Sequence, residues 1–81
     1  MNNDNKLGQT IEKLRRERNI SWAALAKKSG VSRVYLHRLL AGLDPRSRKP
    51  VNPSILVLLS LADAFEVSRT EFLQQCGYLD N

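Results

Sequence analysis

The stretch Trp22-Ala23-Ala24-Leu25-Ala26-Lys27-Lys28-Ser29-Gly30-Val31-Ser32-Arg33-Val34-Tyr35-Leu36-His37-Arg38-Leu39-Leu40-Ala41 decides the fold. It reads as two short helices. Ser21 and Ser32 stand where a capping hydroxyl is wanted before each of them. Leu25 and Ala26 mark the inward side of the first; Tyr35, Leu36 and Leu39 mark that of the second. The connector Ser29-Gly30-Val31-Ser32 is too tight for an ordinary antiparallel hairpin. Ala26 is small where the two helices must approach closely. Four residues later, Gly30 can take the positive φ that a sharp turn needs. Leu25, Val31, Leu36 and Leu39 supply the apolar wedge between the helices. All of these in register describe a helix-turn-helix.

Outward from this centre the chain stays helical. Leu7, Ile11 and Leu14 form the stripe of a first helix running to about Arg18, with Asn19 as its stop. Gly42 ends the third helix. Residues 43–52 hold two prolines and three basic residues and read as a loop. Asn52-Pro53 supplies an N-cap and a first-turn proline for a fourth helix, with Ile55, Leu58, Leu59, Ala62 and Phe65 inward. Ser68-Arg69-Thr70-Glu71 matches a capping box. It opens a fifth helix, with Phe72 and Leu73 inward and Gly77 closing it. No run alternates apolar and polar residues as a strand would. The expectation is an all-α, compact five-helix domain over residues 6–77. Residues 1–5 form a frayed N-terminal tail and 78–81 a C-terminal tail.

Composition narrows the function. With 81 residues, of which 42 % are hydrophobic and 26 % charged, the chain has the make-up of one small folded domain. Its longest apolar run, Ile55 to Leu59, does not span a membrane. Met1-Asn2-Asn3-Asp4-Asn5 lacks the order of a signal peptide. One cysteine, Cys76, and one histidine, His37, argue against an internal disulfide and against a metal site. They also give no nucleophile–base pair, and no glycine-rich phosphate loop is present, so an enzyme is not expected. Neither a cofactor nor a small-molecule ligand is indicated, and the chain reads as cytoplasmic.

Charge points to a partner. Residues 1–50 carry twelve Lys and Arg against four Asp and Glu, a net +8; residues 51–81 carry one against four, a net −3. Such a field suits an anionic polymer on one side of the molecule. At 100° per residue, Arg33, His37, Ala41, Val34 and Arg38 occupy one arc of about 140° on the third helix. The apolar residues occupy the opposite side, with Leu40 at the border.

Several segments together resemble the Cro/phage-repressor type of helix-turn-helix proteins, whose fold is lambda-repressor-like. They are Ile11-Glu12-Lys13-Leu14-Arg15, Leu25-Ala26, Gly30-Val31-Ser32-Arg33 and Leu39-Leu40-Ala41-Gly42. Pro53-Ser54-Ile55, Leu58-Leu59, Leu61-Ala62 and Phe65-Glu66-Val67-Ser68 complete the pattern. The resemblance runs from residue 7 to about 76. It implies a five-helix domain of bacterial and phage transcription regulators, most often repressors, that bind double-stranded operators as dimers. The third helix, about 33–41, would then enter the major groove. Carried onto this chain, the base-contact positions are Ser32, Arg33, Val34 and Arg38. Arg33 and Arg38 suit guanine O6/N7, and Val34 suits a thymine methyl, so a guanine-containing half-site is expected. Backbone contacts are expected from Trp22, Lys27, Lys28, His37, Arg46, Arg48 and Lys49, which would set affinity and salt dependence.

Two positions depart from the family pattern. Trp22 stands where many members carry a phosphate-touching Gln; it is either an indole donor to phosphate or a half-buried packing residue. Arg15 often pairs with an acid late in the recognition helix. That position is Leu40 here, so Arg15 is expected to be a free or phosphate-contacting charge. Leu56 and Val57 exceed what the fourth helix needs for its inward face, and are expected to point outward. Either the tail Tyr78-Leu79 covers them or a second copy does, giving a homodimer through the fourth and fifth helices. The competing functional reading is a helix-turn-helix protein-interaction module, such as an antitoxin or an anti-repressor subunit working with a partner protein.

Overall fold

The computed structural model describes residues 5–43, 48 and 51–79. It has five helices: α1 (Lys6–Glu17), α2 (Trp22–Ser29), α3 (Arg33–Ala41), α4 (Ile55–Phe65) and α5 (Arg69–Gln75). No strand is present among the described residues. Helix α1 packs on α3 and α5, and α2 packs on α3 and α4. Leu25, Leu36 and Leu39 meet Ile11, Leu61, Phe65 and Phe72 in a single core. Burying a side chain of this size stabilises the fold by roughly 1.5–3 kcal/mol. The central wedge of the helix-turn-helix is therefore also the centre of the domain.

The capping signals govern the turns. Ser21 Oγ accepts from Ala24 N–H, and Ser32 Oγ accepts from Tyr35 N–H, at 3.0 and 3.1 Å. Gly30 ends α2 at φ 75° and Gly42 ends α3 at φ 82°. An L-residue reaches that region only with strain. Ser68 Oγ accepts from Glu71 N–H, and the backbone closes α5 around Gly77 through Tyr78 N–H to the Leu73 carbonyl.

Helix α4 departs from expectation. Its cap is Ser54, whose Oγ accepts from Val57 N–H, so Asn52 is not the cap and Pro53 lies just outside the helix, buried. The inward face also differs. Leu61 and Ala64 are buried beside Leu58, Ala62 and Phe65, while Ile55 is 55 % exposed and Leu59 only half-buried. Leu56 points outward as expected, at 72 % exposure, but Val57 is half-buried against the core. Apolar residues surround nearly the whole helix, so periodicity alone selects no face.

The second departure lies at the N-terminus. Asn5, expected to fray, is the N-cap of α1, and its Oδ1 accepts from Gly8 N–H at 3.0 Å. Its Nδ2 donates to the carbonyls of Leu39 and Leu40, each at 2.8 Å. One side chain thus satisfies a donor at the start of α1 and two terminal acceptors of α3. Gly8 makes room for it: a Cβ there would collide with the Asn5 amide and lie 3.0 Å from the Leu39 carbonyl oxygen.

Candidate nucleic-acid interface

Helix α3 turns Arg33, Val34, His37, Arg38 and Ala41 into solvent, with Val34 at 65 % exposure. None of the four ion pairs among the described residues uses Arg33 or Arg38. Val34, His37, Arg38, Ala41 and Leu43 line one shallow groove. Leu43, a member the sequence reading missed, follows the Gly42 turn and carries an apolar side chain back beside Val34. Its only sequence signal is an apolar residue directly after the helix stop. Ser32 sits at the same edge, exposed. Its oxygen holds the α3 cap while its proton stays free to donate.

The expected backbone contacts do not all gather here. Trp22 and His37 meet, as described below. Lys27 is exposed on the last turn of α2. Lys28 instead lines a groove with Arg18, Ile20 and Glu66, beyond the end of α4 and apart from the α3 groove. Arg48 is exposed and in the left-handed region, at φ 59°. Arg46 and Lys49 lie outside the described residues. The two ends of that loop are held together by Val51 N–H donating to the Gly42 carbonyl at 3.1 Å. The described ends of that loop therefore meet at the C-terminal end of α3.

Arg15 is not the free charge expected of it. Its Nη1 donates to the Ile20 carbonyl at 2.9 Å and its Nη2 to Glu12 at 3.1 Å. Its guanidinium carbon lies 4.4 Å from the Trp22 ring centroid. With no acid at Leu40, the guanidinium finds Glu12 one turn back on its own helix, and an aromatic face. Glu12 also binds Arg16. The hydrogen bond from Arg15, seconded by that from Arg16, holds the Glu12 carboxyl below its ordinary value. Trp22 is half-buried, and its other neighbour is His37, with ring centroids 5.2 Å apart and planes at 48°. Packing thus claims the indole ring.

Some charges elsewhere serve the fold itself. Arg18 Nε donates to the Phe65 carbonyl at 2.7 Å, tying the end of α1 to the end of α4. Asp63 and Arg69 pair at 2.7 Å, which depresses the carboxyl. Thr10 donates to the Gln75 carbonyl. Cys76 beside it is buried, and burial pushes its thiol up to about 11. Among the described residues no three His, Cys, Asp or Glu side chains gather to hold a metal ion, and no helix is long and apolar enough to cross a membrane.

Five helices around a capped, glycine-turned pair, with an outer face whose cations are unpaired among the described residues, define a DNA-binding helix-turn-helix domain of the regulatory kind. Residues 11–72 match the helix-turn-helix family HTH_3, of Cro/C1 type, and the chain belongs to that family. No curated protein matches the chain.

Proposed function

We propose that the chain is a sequence-specific regulator of transcription, acting in the bacterial or phage-infected cytoplasm as a repressor that occupies its operator as a homodimer. The observation that carries this reading is the outward face of α3. Arg33 and Arg38 are exposed and without acidic partners among the described residues, flanking Val34 on a helix short enough to lie in a major groove. Ser32, Arg33, Val34 and Arg38 read bases in this proposal; His37, Lys27, Arg48 and the loop residues Arg46 and Lys49 meet phosphates. Lys28 contributes only to the long-range field.

The dimer is supported by α4. Ile55 and Leu56 stand in water at 55 and 72 % exposure, and the tail does not cover them, since Tyr78 and Leu79 are themselves exposed. A two-fold axis would set the same stripe against itself, with Ile55 taking the place expected of Val57.

Fluorescence anisotropy with a labelled random-sequence duplex at two salt concentrations tests the reading. A DNA-binding chain gives saturable binding that weakens steeply as salt rises. A chain that acts only through a protein partner, as an antitoxin or anti-repressor subunit would, gives no saturable binding at either concentration.

A further inference from the structure

Helix α3 is held at its two ends by different means. At the N-terminal end Ser32 caps it, and the Gly30 turn ties it to α2. At the C-terminal end the carbonyls of Leu39, Leu40 and Gly42 have no partner of the helix's own. The two hydrogens of the Asn5 amide go to Leu39 and Leu40, and Val51 N–H goes to Gly42. Gly8 in α1 and Gly42 at the end of α3 both leave room for that amide. A Cβ on Gly8 would run into it, and a Cβ on Gly42 would lie 3.0 Å from its nitrogen. Capping α1 requires none of this, because the cap uses only Oδ1.

We propose that Asn5 is a positioning residue for base reading. Without touching DNA, its amide fixes the last turn of α3, and with it the angle at which Arg38 meets its base pair. The consequence for DNA rests on the DNA-binding reading above; the clasp between α1 and α3 does not. Arg38 belongs to that last turn: its carbonyl takes Gly42 N–H, and Leu39 follows it directly. Arg33 opens the helix, about 7.5 Å away along the axis, where the Ser32 cap sets the geometry. Loss of the clasp therefore blurs the readout at one end of α3 and spares the other. A guanidinium pairing with guanine through two hydrogen bonds tolerates little misplacement, so the loss falls on discrimination at one base pair.

Asn5→Asp separates the two uses of the side chain. An aspartate caps α1 as well as an asparagine does, but it sets a carboxylate oxygen against the two carbonyls in place of the amide hydrogens. Residue-resolved amide exchange in the free chain should show Leu39 to Gly42 exchanging about tenfold faster, with Gly8 to Leu14 at the wild-type rate. Gly8→Ala should give the same pattern by displacing the amide, although alanine is the better helix former there. The duplex recovered from a random pool by the wild-type chain, with its single-base-pair variants, is the second probe. Arg38→Ala and Arg33→Ala mark which base pair each guanidinium reads. Asn5→Asp should cut discrimination about five- to tenfold at the base pair of Arg38 and leave that of Arg33 unchanged. Discrimination is a ratio between duplexes, so a uniform loss from the added negative charge cancels.

Unchanged exchange at Leu39 to Gly42 in both variants overturns the clasp. Equal acceleration along the whole chain, or equal loss of discrimination at both base pairs, reduces Asn5 to general stability and overturns the positioning role. If Asn5→Asp does not fold, Asn5→Ser, which keeps a capping oxygen and adds no charge, decides by the same two measurements. A wild-type chain that recovers no duplex overturns the DNA-binding reading, and the base-reading role falls with it. A wild-type chain that binds, while Asn5→Asp keeps full discrimination at the base pair of Arg38, overturns the positioning role alone.

Discussion

Helices α3 and α4 run nine and eleven residues, and both leave apolar side chains in water. Their outward faces nevertheless differ in kind. On α3, the exposed Val34 lies between Arg33 and Arg38, and any protein covering it would have to desolvate two guanidinium groups. A polyanion neutralises them and keeps its own hydration at the rim, so that face suits nucleic acid. On α4, Ile55 and Leu56 adjoin no basic residue of their own helix, and its one acid, Asp63, is paired to Arg69 of α5. That face has little to offer a phosphate and suits an apolar copy of itself. Exposed apolar surface thus means different things on the two helices, and the neighbouring charge decides which.

The contrast can be broken from either side. The largest effect is expected from Leu56→Glu. Two carboxylates facing each other across a two-fold axis should convert a sedimenting dimer to monomer and cost operator affinity on the order of 100-fold through lost bivalency. An unchanged dimer would remove α4 from the interface. Arg38→Ala should leave the dimer intact. It should cost about 1–3 kcal/mol of binding to a guanine-bearing half-site and relax the preference at that base pair, read by competition between matched and mutated duplexes.

The next effect concerns what holds α3 in place. Asn5→Ala removes the α1 cap and exposes the carbonyls of Leu39 and Leu40, so chemical denaturation should show a loss of roughly 2 kcal/mol. On the proposed function, duplex affinity should fall with it, because α3 loses its anchor. The smallest effect is electrostatic. Glu12 has its folded-state carboxyl depressed by Arg15 and Arg16, so its contribution is complete above its ordinary value of 4.5 and is lost as pH falls below it. The thermal midpoint of the wild-type chain should therefore drop on acidification below that value, and Glu12→Gln should show a shallower drop.

The legible parts of this chain were those in which one residue type has one physical use. Ser21, Ser32 and Ser68 cap helices because a short hydroxyl reaches the N–H three residues on, and Gly30 and Gly42 turn because they lack a Cβ. The outward arc of α3 followed from the 100° step alone. Where several residues compete for one use, the sequence leaves the choice to packing. Asn52-Pro53 and Ser54 offer rival starts to α4, and the buried Pro53 with the Ser54 hydroxyl prevails. Leu61 and Ala64 face inward where Ile55 and Leu59 were expected to, because a helix apolar nearly all round has no preferred side until neighbours are packed. Asn5 and Arg15 were missed for another reason. Asn5 and Arg15 donate to the carbonyls of Leu39, Leu40 and Ile20, which leave no mark in residue identity, whereas the Arg15–Glu12 pair, three residues apart on one helix, is visible in the sequence.

The central claim is that the outer face of α3 reads DNA, and one selection tests it most directly. The wild-type chain and an Arg33→Ala/Arg38→Ala variant are each used to recover duplexes from a random pool. The wild-type chain should enrich paired half-sites carrying guanine, while the variant, folded and dimeric, should enrich none. Equal enrichment by both chains, or half-sites without guanine from the wild type, would contradict it.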